Sequence, residues 1–586
     1  MQFALQTCPF NGLFIEEELT ITRREGIENF VIQFSNFTPR DLDNVTINRI
    51  HLLSEEANLK LFLHIPTIDA EAEVVWDGIL DISGILEPEI IILDYHPEII
   101  KIITRKECPF KIALVNTCDA NIISPQYMNA ITTLSKHCIA GIAFYPATEA
   151  MIFSEKEIVS LLKRFLENDF KLMGCFCHDW HPQKQDLRLL PFGDGILPLT
   201  ELVIFLRQLP FNGPLIFDHW EGRKKSISRL KNLLSAPLDI LNYVCSEKGK
   251  KKDFYPARID RSRIYLNQIG IEYVGKNLSV PVTLRSAINT NPCFDWDYIQ
   301  DDYIIKDGEN LNIPEPDIAQ NLMFAFHDCK GDWDNNHGKN YYLSLEFLKI
   351  PYVVDSHIHA LTQDDVYEIE KLCERNGIDL VLVSVLDPEN LVLADKIKFI
   401  WQILKPEKYS LDKLTEFIEN KKVIGISLNP TEQKVPIQAE IWYPLWDYLQ
   451  KNSIPVQIAM ISSEFTNPES ISCINEKFPR LNMILTHVGS YEEIPGYNNR
   501  ILDLTYAYSN VYIDTAEADV NWMRRLLDKY GHRRIVFGSN IPYVNPDDGD
   551  RGYRELKIKI QHLDLPLEFL SCISYENTNR LYNLNL

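Results

Sequence analysis

Two histidines one residue apart, His357 and His359, end an apolar run that reads Tyr-Val-Val-Asp-Ser-His-Ile-His from residue 352. In a β-strand, side chains at i and i+2 share a face. A strand here turns both imidazoles to one side, and converging imidazoles are ligands for zinc or a similar ion. Further along come Leu-Thr-His-Val-Gly, with His487, and Val-Phe-Gly-Ser-Asn-Ile-Pro, with Asn540. The His357 and His359 pair would begin a site for one divalent ion, zinc or manganese, with a coordination position left open for water or substrate. Water activation also needs a base. Glu517, in Asp-Thr-Ala-Glu-Ala-Asp from residue 514, and Asp355 are the candidate carboxylates. Asn540 is neutral: it can hydrogen-bond a ligand but cannot take a proton at ordinary pH.

The elements that must position these groups can be read from periodicity. Residues 349–586 hold eight short β-branched runs, among them DLVLVSV, PVQIAM, NVYIDT and RIVFGS, separated by helical or loop segments. Residues 1–245 repeat the alternation with FALQT, FVIQF, LKLFLHI, IIILDY, KIALVN, GIAFY, KLMGCFC and PLIFDH, and with amphipathic stretches such as EKEIVSLLKRFLEN between them. Eight strand–helix repeats predict a parallel (β/α)₈ barrel, whose chemistry gathers at the C-terminal ends of its strands. The expected fold class is α/β multidomain: two such barrels, at 1–245 and 349–586, on either side of a small antiparallel β-sandwich. The sandwich is expected at 259–348, where short alternating strands lie between loops rich in Asn, Asp, Gly and Pro. The charged stretch 246–258, SEKGKKKDFYPAR, reads as a linker.

Composition narrows the partners. The chain has 586 residues, 45% of them hydrophobic, and a net charge of −23. That field repels phosphate backbones and anionic membranes, so neither nucleic acid nor membrane is expected as a partner. No basic-then-apolar leader opens the sequence, and no apolar run approaches membrane length. The 12 cysteines are scattered without a CxxC pair, as reduced thiols in a cytoplasm would be.

Three resemblances add to this. With HxH, LTHVG and VFGSNIP in that order, and YENTNRLYNL at the end, residues 351–586 resemble the amidohydrolase superfamily, in particular its amidohydrolase-related hydrolases and decarboxylases. The resemblance implies a metal site built from His357, His359 and His487. It also implies two departures, because Ala459 stands where the family has a strand-five histidine and Asn540 where it has the proton-shuttling aspartate.

The first barrel resembles the xylose-isomerase-like sugar phosphate isomerases and epimerases through CFCHDWH and LPFGDG…PLIFDHWEG. The family's metal ligands map onto Val115, Tyr145, Phe176 (unless His178 substitutes) and Asp218, so no metal is expected there. Its mouth still gathers Asp94, His96, His178, Asp179, Asp218, His219 and Glu221 beside Trp180 and Trp220, a set that suits a polyol.

The middle segment GDWDNNHGKNYYLSL resembles starch- and glycogen-binding modules. Trp296, Trp333 and Tyr341 would be sugar platforms, and Asn335, Asn336 and Asn340 hydrogen-bonding groups. The functions implied are an amidohydrolase-type metalloenzyme acting on a polar, sugar-derived small molecule, a scaffold whose barrels bind a glycan or partner, or metal-independent isomerase, epimerase or lyase chemistry in the first barrel.

Overall fold

A computed structural model describes residues 2–7, 15–34, 44–66, 72–106, 108–117, 120–150, 152–179, 190, 192–217, 223–266, 268–289, 299–314, 321–461, 463–489, 495–543 and 548–586. The chain forms two compact units, residues 1–238 and 239–586.

The first unit is a closed parallel barrel of eight strands: β1 (Gln2–Gln6), β2 (Asn29–Gln33), β3 (Lys60–Ile65), β4 (Ile90–Asp94), β5 (Ile112–Val115), β6 (Ala140–Phe144), β7 (Leu172–Phe176) and β8 (Pro214–Phe217), with β1 pairing β8. Alternate residues point inward. They build a barrel core of Ala4, Val31, Phe62, Ile92, Ala113, Val115, Ala143, Phe176 and Ile216. Helices cover the outside. Ile158–Leu166, for example, buries Ile158, Leu161, Leu162 and Phe165 on one face.

Among the described residues, the second unit begins with nine antiparallel strands in two sheets. β9 (Lys251–Phe254), β10 (Ala257–Asp260), β11 (Gln268–Tyr273) and β14 (Leu311–Pro314) form one. β12 (Val282–Asn289), β13 (Ile299–Ile305), β15 (Asn321–Asp328), β16 (Trp333–Asp334) and β17 (Tyr341–Ser344) form the other. Rings from the two sheets meet, Phe254 with Phe324 and Tyr273 with Phe326, at centroid distances of 6.1 and 4.7 Å.

The stretch 246–258, expected as a linker, instead supplies β9 and the start of β10, and side chains pin it to the second barrel. Lys252, almost fully buried, pairs with Asp379 at 2.8 Å, and the same Asp379 oxygen accepts the Val353 N–H at 2.7 Å. Buried Arg261 donates to the carbonyls of Gly249, Ile350 and Pro351. Of the lysines that read as solvated charge, Lys251 and Lys252 belong to a β-ribbon in which alternate residues point inward, so that Lys252 is buried and Lys251 exposed.

Next come eight parallel strands in sequence order: β18 (Val354–Ala360), β19 (Leu380–Val385), β20 (Ile397–Ile403), β21 (Val423–Leu428), β22 (Val456–Ala459), β23 (Met483–Thr486), β24 (Val511–Asp514) and β25 (Ile535–Val536). β25 is short, and the residues after it complete the ring. Ser356 N–H donates to Phe537 O, Asn540 N–H to His357 O, and His359 N–H to Ile541 O, at 2.7–2.9 Å. The first crossover helix, Gln363–Asn376, is framed by local signals: a Thr362/Asp365 capping box at its start and Gly377 at φ 62° at its end. Among the described residues no helix is long and apolar enough to cross a membrane.

Two outcomes are expected. Limited proteolysis should spare 246–258, because its strand backbone is paired and Lys252 is buried against Asp379; preferential cleavage there would contradict the β-ribbon. The second concerns Glu149 in the first unit, whose carboxyl is fully buried. It accepts from Asn116 Nδ2 and Ile122 N–H, and burial pushes it up to about 7. An acid raised in the folded state stabilises below its unfolded value and loses that contribution as pH rises through its folded value. Stability should therefore fall by about 3 kcal/mol between roughly pH 4.5 and 7.5 on this account. Glu149→Gln should raise the melting temperature at pH 8 and leave it unchanged at pH 5; an equal effect at both would exclude titration as the cause.

Candidate active site

The mouth of the second barrel encloses a cavity of about 370 Å³, lined by His357, His359, Gln402, Ser427, Leu428, Asn429, Glu432, Ala459, Ile461, Thr486, His487, Glu517, Asn540 and Tyr543. The three histidines and two of the three catalytic candidates of the sequence thus share one space. Strand period accounts for the HxH pair: both side chains leave β18 on the lumen side, and their Nε2 atoms stand 3.1 Å apart. The ring of His487, just after β23, lies edge-on to His357 with centroids 4.9 Å apart.

Two hydrogen-bonded groups organise these rings. His357 Nδ1 meets Asp514 Oδ2 at 2.7 Å, at the end of β24. Burial holds His357 well below the usual imidazole range and pushes Asp514 well above the usual carboxylate range. The bond therefore joins weakly charged groups, and the form in which Nδ1–H donates leaves His357 Nε2 bare. His487 Nδ1 meets Glu517 Oε1 at 2.8 Å, and Asn540 Nδ2 donates to the same oxygen at 2.7 Å. Glu517 stays below the usual carboxylate range, since the hydrogen bond and charge of His487 outweigh its desolvation. Because Nδ2 faces Glu517, the amide orientation of Asn540 is set, and its Oδ1 remains without a partner among the described residues although the residue is 1% exposed.

The backbone is strained at the same place. His487, Glu517 and Asn540 have φ of 63°, 63° and 56°, in the left-handed region that non-glycine residues seldom adopt. Such residues cost about 1–3 kcal/mol each and persist where surrounding structure imposes them. They come after three successive strands and turn their side chains back over the mouth. Gly538 makes room for the pair below. A Cβ there would sit 3.0 Å from His357 Cβ and 3.2 Å from Asp514 Oδ2.

Asp355 proves to be something other than a base. Its buried carboxylate lies outside the cavity lining. It accepts from His357 N–H (3.0 Å), Ser539 N–H (3.0 Å), Ser539 Oγ (2.5 Å) and Tyr553 Oη (2.7 Å). With its acceptor sites filled it has no free face for a substrate proton. Asp514, in contrast, is a partner of the site's His357 that sequence reasoning missed. An aspartate ending an apolar strand directly before the Glu517 loop is the available signal, but only the fold shows that it faces His357.

No group of three or more His, Cys, Asp or Glu side chains is arranged to hold an ion among the described residues. His357 and His359 alone fit one: their Nε2 atoms face each other, and burial keeps both imidazoles neutral, His359 being lowered to about 3. His487 gives Nδ1 to Glu517, and Ala459 and Asn540 offer no charged donor.

The other expected sites fare differently. In the first barrel, Val115 is in the apolar core, and Tyr145 packs against it, 5.0 Å from Phe176 and 5.5 Å from His178. Asp94 meets His64 Nε2 at 3.1 Å, and His64 Nδ1 meets Gln6. His96 precedes helix Pro97–Ile103. Asp179, three residues after β7, is fully buried and accepts from Gly193, Gly195 and Leu197 N–H, bracing that loop. Asp218, His219, Trp180, Trp220, Glu221 and Trp296 lie outside the described residues.

In the middle segment Trp333 is 44% exposed, with Arg285 5.3 Å over its ring. Its expected companions are engaged elsewhere. Tyr341 is buried, with Oη on Asp334; Asn335 Oδ1 accepts from Gly338 N–H; Asn336 reaches Asp550; and Asn340 lies against Met323.

An amidohydrolase family model matches residues 393–584, about a third of the chain, and begins after the strand that carries His357 and His359. Comparison with curated proteins gives no match. Similar solved structures include 5-carboxyvanillate decarboxylase LigW from Sphingomonas paucimobilis, at 10% identity and TM-score 0.31, covering 40% of this chain and 99% of that one. Amidohydrolase 2 from Bifidobacterium longum subsp. infantis has 15% identity and TM-score 0.31 over 40% and 99%. A putative amidohydrolase from Staphylococcus aureus has 14% identity and TM-score 0.32 over 40% and 100%.

The brace is testable. Asp355→Ala strands four donors and should cost about 3–5 kcal/mol in chemical denaturation; a loss below about 1 kcal/mol would show that Asp355 does not hold the ring closed.

Proposed function

We propose that the second barrel is an amidohydrolase-type enzyme that cleaves a polar small molecule at the mouth built by His357, His359, His487, Glu517 and Asn540, with Glu517 as its proton acceptor. One observation carries this. The position that resembles the family's base holds Asn540, yet Asn540 Nδ2 grips a carboxylate brought from the neighbouring strand end, Glu517, at 2.7 Å. The proton-accepting group has moved by one strand and kept its place at the mouth. His487 orients it from the other side through Nδ1. General-base help of this kind is worth roughly 10²–10⁴ in rate.

A divalent ion held by His357 and His359 would supply Lewis acidity toward a substrate oxygen. The protein's own part is separate from that. Asp514 fixes the His357 ring through Nδ1, in the way outer partners orient ligand histidines. Glu517 accepts the proton of an attacking water in the cavity. His487, beside it, delivers or holds a proton for the leaving group. Asn540 Oδ1 accepts a hydrogen bond from whatever occupies the cavity.

For the first barrel a different reading is favoured. Where the isomerases it resembles would place metal-binding carboxylates, Val115 and Tyr145 pack with Phe176. A layer of that kind suits a barrel without metal-dependent isomerisation.

The test is kinetic. Across a panel of amide and ester substrates, Glu517→Gln should lower kcat by roughly 10²–10⁴ with little change in KM. Asn540→Asp should also lower it, because a second carboxylate would face Glu517 at about the 2.7 Å now spanned by the hydrogen bond. Full activity in Glu517→Gln, or a gain in Asn540→Asp, would return the base to the strand-eight position.

A further inference from the structure

We infer that the cavity of the second barrel takes a ligand bearing a protonated amine, and rejects carboxylates. This rests on the mouth being a binding site and deepens the reading above by naming the charge and donor character of what enters.

Two lining residues, Glu432 and Glu517, carry carboxylates, and among the described residues no lysine or arginine lines the cavity. A carboxylate entering this space would meet like charge and no fork of donors to receive it.

The hydrogen-bonding groups point the same way. Asn540, 1% exposed and part of the lining, leaves Oδ1 without a partner while its Nδ2 is committed to Glu517. A buried, unsatisfied acceptor is costly until a donor arrives. Glu517 engages both His487 and Asn540 through a single oxygen, Oε1. The Asn540 amide oxygen and the adjacent Glu517 carboxylate are therefore both acceptors facing one space, and an ammonium offers three donors.

The rest of the lining suits an apolar body behind that head. Leu428, Ile461 and Tyr543 line the same cavity, and the Tyr543 ring meets His359 edge-on at 4.9 Å. At about 370 Å³ the space accommodates a single aromatic ring with a short polar arm. The net charge of −23 adds a long-range field that concentrates cations near the surface.

Three probes of one shape and different charge decide it: benzylammonium, benzyl alcohol and benzoate, titrated into the purified full chain at about pH 7 by calorimetry. Benzylammonium should bind at least tenfold more tightly than benzyl alcohol, and benzoate should give no heat of binding. Glu517→Gln and Glu432→Gln should each weaken the amine severalfold and leave the alcohol unchanged; Glu432, exposed at the rim, can be exchanged without burying an unpaired group. Benzoate binding as tightly as the amine, no binding by any probe, or amine binding indifferent to both variants would overturn the inference. Because only binding is read, loss of turnover in Glu517→Gln does not enter the result. An enzyme that hydrolyses substrates but prefers benzoate would keep the proposed chemistry and lose this specificity.

Discussion

The buried carboxylate of Asp355 ties the first strand of the second barrel to the residues just beyond its last strand. One oxygen receives the N–H groups of His357 and Ser539, and the other the hydroxyls of Ser539 and Tyr553. β25 is only two residues long, so regular pairing alone closes little of this seam. The carboxylate does the rest, and it does so beside His357 and Asn540. Ring closure and the aim of two cavity residues are therefore one interaction. Burial raises Asp355 to about 6, which measures what the ring gives up to hold a charge there.

The same coupling of backbone to site explains the loops above it. His487, Glu517 and Asn540 sit in left-handed backbone after three neighbouring strands, and each points at another: His487 at Glu517, Asn540 at Glu517. Below them Gly538 lets His357 and Asp514 approach. A carboxylate and an imidazole pair are thus fixed by hydrogen bonds at two levels of one mouth.

Much of this is legible without any fold. Sixteen strands in two sets of eight are visible from short β-branched runs, because a buried parallel strand has little choice of composition. The placement of His357 and His359 comes from a period of two. What cannot be read are partners distant in sequence. Asp355 looks like a base because it neighbours the histidines, while its four donors come partly from residues 539 and 553. Lys252 looks like solvated charge because its counterion, Asp379, is 127 residues away. The Asn-rich loop after Trp333 looks like a sugar site, yet Asn336 and Lys339 reach Asp550 and Asp548, at the start of helix Gly549–Gln561. Local signals set local structure; long-range pairing decides which polar groups remain available for ligands.

The left-handed backbone at the mouth also bears on how this sequence can drift. Asn tolerates that conformation through local hydrogen bonding, and His does so often enough to be enriched there, whereas Glu has no such advantage. Selection for stability alone would move position 517 toward glycine or asparagine, and position 540 already holds the residue the backbone prefers. A glutamate at 517 is a carboxylate held at a conformational cost that glycine or asparagine would not carry.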